Sequence, residues 1–567
     1  MKKFIPVVVA LVLILIIGGV GIGKMLLDKY SYSKETADLA EYYEVTGDDL
    51  AIVLQDEIIS EKAVQRDGNC YFDMDTVHTY FNEGFYVDMS EGLLLYTTAT
   101  DTYRAVIGES GWQNSENTGD LGFTICFVEG DKLYVAADYV QLFTNYSYEI
   151  FNDLCVQVYT QWGEREQATV TKDTQVRIKG GIKSPILREI AVGETVEILE
   201  QMDNWSQVKT SDSIIGYIEN KRLSEVITET ETPVTDYVPE EYTSLSMDGK
   251  VSLGWHAVGS VDGGIDTLGA MIAEGKGMNV IAPTWFSLND NDGNFRSYGA
   301  NRYVQQAHNS GLEVWGVWDN FNYKNETGSD INSYEILSST SKRQVLVQGM
   351  INTAQSLGLD GINIDFEGLT EESGEHYIQF LRELSVQCRK CDLVLSIDNY
   401  VPFNYNDFYR LDIQGEIADY IIIMGYDEHW HGSGNPGSVA SIDYVSNGLS
   451  KTLELAPAEK VINALPFYTI LWKTEGTVVT DQYIILKNIP DYLQRVNVTP
   501  EWDEKTCQNY AEWQSGSVTY QIWVEDLESL KVKLSVMSAQ NIAGVAVWRL
   551  DYGTPAAWEL INAYAGS

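Results

Sequence analysis

Asp360-Gly361-Ile362-Asn363-Ile364-Asp365-Phe366-Glu367 is the stretch on which both fold and chemistry turn. In a β-strand, successive side chains alternate between faces. Ile362, Ile364 and Phe366 therefore share one face, and Asn363, Asp365 and Glu367 share the other. The apolar face reads as covered by helices. Hydrogen-bonding and ionisable groups in a row on a strand buried on both sides are costly without partners. The polar face then points where chemistry occurs. The alternative is a strand whose polar face meets water, and the flanking segments, which imply burial on both sides, argue against it.

From Met247 to the end, strand and helix patterns alternate. The strands read as Val251–His256, Val280–Trp285, Glu313–Val317, Gly361–Glu367, Leu393–Ile397, Tyr420–Met424, Val461–Phe467 and Ala543–Trp548. Helical stretches separate them, as in Ser341–Leu357, where Val347, Met350, Ile351, Ala354 and Leu357 form an apolar stripe. Mostly apolar strands alternating with helices predict an α/β fold, a (β/α)₈ TIM barrel. Such barrels place their chemistry at the carboxyl ends of the strands. Glu367 sits at that end of the fourth strand.

Other strand ends carry related signals. The sixth ends Met424-Gly425-Tyr426-Asp427, the seventh runs into Leu465-Pro466-Phe467-Tyr468, and the eighth ends at Trp548. Together with Asp360, Gly361, Asp365 and Glu367, these stretches resemble, in order, the motifs of family 18 glycoside hydrolases. Asn363 departs from the family, which mostly carries Asp there. Asn-Ile-Asp-Phe-Glu is similar to the branch containing spore-cortex N-acetylglucosaminidases. A Tyr- and Trp-rich segment follows strand seven, roughly Lys473 to Val524, with Trp502, Tyr510, Trp513, Tyr520 and Trp523. By the same resemblance it is a small α+β insertion that walls the cleft.

Glycosidic hydrolysis needs an acid for the leaving oxygen and a group that stabilises developing positive charge. Burial and a neighbouring carboxylate raise a Glu pKa. Glu367 is therefore read as general acid and later base, with Asp365 as its ionised partner. The residues alone name no nucleophile, and Asp319, Asp398, Asp427 and Asp551 also lie near strand ends. The resemblance implies that the substrate's own 2-acetamido oxygen attacks. Asp365 then orients the acetamido N–H, Tyr426 donates to its carbonyl, and configuration is retained. Asp360, Met424 and Asp427 are supporting residues. Asn363 cannot share a proton as Asp can, but its amide is expected to bond Asp365 and hold it ionised.

Trp548, Trp285, Trp318, Tyr468 and Asn399 are the expected substrate-binding residues. Trp255, Tyr400, Trp430 and Trp472 join Trp285 and Trp318 as six aromatic candidates at strand ends for stacking on sugar faces, at least half of the six being core. His429 and His431 read as a polar loop, since a metal site would need a third ligand. Cys388 and Cys391 form a lone CxxC, and Cys388 continues the helical apolar spacing of Tyr377, Phe380, Leu381 and Leu384. No metal and no cofactor are expected.

The chain has 567 residues and a formal net charge of −44. That length suggests about three or four domains. That charge argues against nucleic acid as a partner and reads as a solvated surface. Six cysteines are too few for a disulfide scaffold. Lys2 and Lys3 precede an apolar run from Phe4 to Gly23, about the length that spans a bilayer. Residues 1–27 are read as a signal anchor with the remainder outside; a cleaved signal peptide is the alternative.

Residues 28–45 read as a stalk. Residues 46–160 are β-rich, and their look-alike stretches Asp67-Gly68-Asn69-Cys70-Tyr71-Phe72 and Glu129-Gly130-Asp131-Lys132-Leu133-Tyr134 are similar to the amino-terminal domain of copper amine oxidases. Residues 165–226, through Val176-Arg177, Gly193-Glu194, Trp205, Val208 and Gly216-Tyr217, resemble bacterial Src-homology-3-like domains. An acidic linker, 227–246, precedes the barrel, 247–567.

The expectation is a membrane-anchored, extracytoplasmic glycosidase cutting β-1,4 bonds of an N-acetylglucosamine-containing polysaccharide. Peptidoglycan or spore cortex ranks ahead of chitin. The rivals are a catalytically silent, lectin-like glycan-binding protein and a wall-tethering structural protein.

Overall fold

The computed structural model describes residues 5–232, 235–325 and 328–566. Lys2, Lys3, Phe4 and Pro233 lie outside the described residues. The chain forms two compact units, and the second gathers Tyr86–Arg104, Gln113–Asn117 and Glu240–Ser567.

In the first unit, a 26-residue helix, Ile5–Tyr30, is long and apolar enough to cross a membrane. It runs three residues past the expected boundary at 27. The segment expected as a stalk does not hang free. Thr36 pairs with Ile186, the Tyr42 hydroxyl donates to the Ile215 carbonyl at 2.6 Å, and Tyr43 is buried.

The two look-alike stretches form two hairpins. Glu57–Arg66 returns as Asn69–Asp73, and Cys126–Glu129 returns as Lys132–Ala136. Gly68 and Gly130 take the positive φ that their tight turns require. A short helix follows each hairpin, and the two second strands pair with each other, Val135 opposite Phe72. Strands from Glu164–Thr169 to Ile227–Thr230 form a separate seven-stranded sheet. It closes on Val176, Val196, Val208 and Ile218.

The second unit contains the barrel. Its strands are β1 Val251–His256, β2 Val280–Leu288, β3 Glu313–Asp319, β4 Gly361–Asp365, β5 Val394–Tyr400, β6 Tyr420–Met424, β7 Val461–Pro466 and β8 Gly544–Trp548. All pair in parallel, and β8 closes on β1, Val251 opposite Gly544. The matching helices are α1 Val261–Glu274, α2 Asn301–His308, α3 Thr340–Leu357, α4 Glu371–Lys390, α5 Leu411–Ile417, α6 Ile442–Leu455, α7 Leu527–Gln540 and α8 Pro555–Ala565.

Alternation along each strand sorts the side chains into two cores. Trp255, Ala282, Trp315, Val317, Tyr420, Ile422 and Ala546 fill the barrel. Ile281, Val314, Ile362, Ile364, Leu395 and Ile397 face the helices. Cys388 of α4 belongs to this outer core, where it is buried. The insertion after β7 starts at Tyr468 rather than at Lys473. It is a five-stranded sheet with a helix, Ile489–Val496.

Residues 86–104 were expected to belong wholly to the amino-terminal domain, yet they pack with the barrel. Asp88 accepts from the backbone N–H and the hydroxyl of Thr340, both at 2.7 Å, at the amino end of α3. An anion suits that positive end of the helix. The Arg343 guanidinium, fully buried, donates to Tyr86 and to Glu383 of α4. Gln379 donates to Thr97.

Candidate active site

Register determines which side chains meet. Asp319 of β3 lies opposite Asp365 of β4, and Asn363 lies opposite Ser396 of β5. Asn363 and Asp365 therefore point into the barrel, together with Ser396, Asp398 and Tyr400. Glu367 follows two residues beyond the end of β4 on the same line. A cavity of about 210 Å³ opens here, at the carboxyl ends of the strands. Asp365, Glu367, Asp398 and Asp427 are its acids. Trp255, Phe321, Tyr400, Met424, Tyr426 and Trp548 are its other walls.

Glu367 is held at both ends. Its N–H donates to Asn320 Oδ1 at 2.9 Å, and its carbonyl accepts from Asn320 Nδ2 at 2.8 Å. The Tyr400 hydroxyl donates to Glu367 Oε2 at 2.7 Å. Burial raises the pKa of Glu367, the bond from Tyr400 opposes that, and the charges of Asp427 and Asp319 raise it further. The net effect is upward, as a general acid requires.

Asn363 does not bond Asp365. Its Oδ1 accepts from Trp255 Nε1 at 3.1 Å. Its Nδ2 donates to Ser396 Oγ at 3.0 Å and to Asp398 Oδ1 at 2.9 Å. Indole N–H only donates, so the amide orientation is fixed. Asp365 Oδ1 is left buried without a hydrogen-bond partner. Burial first, and then the charges of Asp398, Glu367 and Asp319, push the Asp365 carboxyl well above the usual carboxylate range. Both features favour the neutral form of Asp365, against the expectation that it is the ionised partner.

The remaining expected residues divide clearly. Met424, Tyr426, Asp427 and Trp548 line the cavity. Tyr468 stands behind Asp427 and donates its hydroxyl to that carboxylate. Asp360 is at the opposite, amino end of β4, where it accepts from the Val314 N–H at 2.7 Å and meets His308 at 2.8 Å. It fastens strands and touches no part of the cavity.

Trp285, Trp318 and Asn399 face the helices, which corrects the expectation that they bind substrate. Trp318 stacks on Phe286 at 3.9 Å and Trp285 packs on Tyr303 at 4.7 Å; both are 1% exposed. Asn399 exchanges hydrogen bonds with Gln414 at 2.7 and 3.0 Å. Of the further aromatics, Trp255 reaches the cavity, Trp472 is buried with its N–H on the Gly437 carbonyl, and Trp430 is exposed. Asp551 is paired with Arg549. His429 meets the Asn435 carbonyl, and His431 meets Asp481.

The sequence reading missed Asn320 and Phe321, and it gave Tyr400 a stacking role. The signal for Tyr400 was available: it is two residues after Asp398 on the same face of β5.

Residues 302–553 match the sequence profile of glycosyl hydrolases family 18, and residues 172–224 match that of the bacterial SH3 domain. The chain is 26% identical over 306 residues to the uncharacterized glycosylase YvbX of Bacillus subtilis, covering 50% of this chain and 84% of that protein. It is 24% identical over 235 residues to the cortical fragment-lytic enzyme of Bacillus anthracis, covering 40% of this chain and 54% of the relative. The chain thus spans little more than half the length of that second relative. The C-terminal domain of a putative chitinase from Desulfitobacterium hafniense shares the fold, with a TM-score of 0.50 and 17% identity over 56% of this chain and 100% of that one. Residues 302–553 thus form a domain that the glycosyl hydrolases family 18 profile describes, and residues 172–224 a bacterial SH3 domain.

Proposed function

We propose that this protein is a membrane-anchored, extracytoplasmic hydrolase that cleaves β-1,4 bonds beside N-acetylglucosamine with retention of configuration. Peptidoglycan, in its vegetative or spore-cortex form, is the substrate, ahead of chitin. The observation that carries the reading is the Glu367 carboxyl, raised in pKa and held by Tyr400 at the mouth of an acid-lined cavity. Glu367 protonates the leaving oxygen. The substrate's 2-acetamido oxygen attacks the anomeric carbon from the other face, and Tyr426 donates to that acetamido group. Asp365 receives the acetamido N–H. Glu367 then acts as base toward water.

The helix Ile5–Tyr30 supports anchoring. A cortical fragment-lytic relative and an SH3 domain support a wall substrate over chitin. A lectin-like role is less favoured, because binding alone has no use for a proton held on Glu367.

The test compares intact protein with Glu367→Gln on purified peptidoglycan, on cortex and on chitin oligomers, with products read by mass spectrometry. Reducing ends released only by the intact protein support the reading. Equal binding with no release by either sinks it.

A further inference from the structure

Four carboxyl groups meet at this cavity, and only some of them have donors. Tyr400 serves Glu367, Tyr468 serves Asp427 and Asn363 serves Asp398. The donor to Asp398 has one possible orientation, because Trp255 Nε1–H holds the amide oxygen of Asn363. Between two neighbouring buried acids that compete for one proton, a donor to one of them favours the charge on that acid and leaves the proton on the other. Asp365 Oδ1 has none. Two neighbouring carboxyls in a site this small do not both ionise.

We propose that the resting negative charge sits on Asp398 and the proton on Asp365, and that Asp398 accepts this proton when an acetamido N–H arrives at Asp365. The step is balanced: the Asp365 O–H bond breaks, an O–H bond forms on Asp398, and the single negative charge moves to Asp365. Asp398 is thus a positioning residue that acts through Asp365, in a chain where Asn363 has no acid to offer. The inference rests on the hydrolase reading above. The titratable groups facing Asp398 are Asp365 and Glu367 beside it, Tyr377 on α4, Tyr400 on its own strand and Tyr426 beyond β6. Asp319, at the end of β3, acts on Asp365 and is itself offset by Arg296.

Two measurements on the full chain test this. Difference infrared spectra at pH 7 read the charge directly, active or not. Asp365→Asn must remove a protonated-carboxyl C=O band, and Asp398→Asn must remove a carboxylate band; the reverse assignment overturns the proposal. Kinetics on peptidoglycan read the transfer. Asp398→Asn should lower kcat about 100-fold at little-changed KM and flatten the acid limb of the pH profile. Adding Asn363→Asp, which puts a carboxyl back on the same face two residues from Asp365, should restore at least about tenfold. An Asp398→Asn enzyme with wild-type kcat and pH profile overturns it. So does a kcat loss with an unchanged profile and no rescue, which marks a merely structural role. An intact protein that cuts no glycan fails the hydrolase reading instead, while the spectra still decide the charge.

Discussion

The Tyr400 hydroxyl donates to Oε2 of Glu367 across 2.7 Å, from β5 to the end of β4. This bond opposes the effect of burial on Glu367. A general acid works while protonated, so activity falls as pH rises through the Glu367 pKa. Tyr400→Phe removes the opposing bond, and the alkaline limb of kcat/KM should move to higher pH. The rate at the optimum should drop about tenfold, the scale of one hydrogen bond to a charged group. A pH–rate profile of both proteins checks the direction.

Glu367→Gln keeps the shape and still accepts from Tyr400. It should lower kcat by about 100-fold or more and leave glycan binding in place. Binding isotherms beside initial rates separate the two effects.

Asp365 holds its proton more tightly folded than unfolded. Its contribution to stability is complete below about pH 3.9, the unfolded value, and is lost as pH rises through the raised folded pKa. Asp365→Asn should therefore stabilise the fold at neutral pH, on the order of 1 kcal/mol or more, while abolishing activity. Thermal unfolding of both proteins at several pH values should show a gap that widens as pH rises.

Asn363→Asp should stay active with a shifted pH profile. One oxygen can still accept from Trp255, and the other then faces Asp398, so the two must share a proton. Complete loss of activity would contradict this account.

Asp88→Ala removes both acceptor contacts to Thr340 and should cost about 1 kcal/mol, as loss of a helix cap does. Burial works against the Asp88 charge, but donation from Ser90 and Thr340 wins and lowers its pKa. That stabilising contribution is present at neutral pH and lost as pH falls below the ordinary carboxylate range. Chemical denaturation at pH 7 and at pH 3 should show the variant's deficit shrinking in acid.

The barrel was legible because its strands are apolar and regularly spaced, and the line Asn363, Asp365, Glu367 followed from period two alone. The errors came from treating strand ends as points rather than applying the same count. Trp318 lies opposite Ile364, a residue already assigned to the helix side, so its direction was available from register. Trp285 and Asn399 are likewise one step out of phase with the inward residues of their strands. Asn363 was expected to serve its strand neighbour Asp365; its partners are on β1 and β5, which single-strand reasoning does not reach. The packing of Asp88 on Thr340 joins residues 252 apart, and nothing local announces it.

That same packing changes what counts as the enzyme. A fragment beginning at Met247 would keep every acid of the cleft but lose Tyr86, Asp88 and Thr97. The first turn of α3 would lose the Asp88 acceptor at Thr340, and the buried guanidinium of Arg343 would keep Glu383 while losing its phenolic neighbour. The barrel unit is assembled from discontinuous stretches of one gene, so an expression clone trimmed to the barrel strands and helices alone would discard part of its own scaffold.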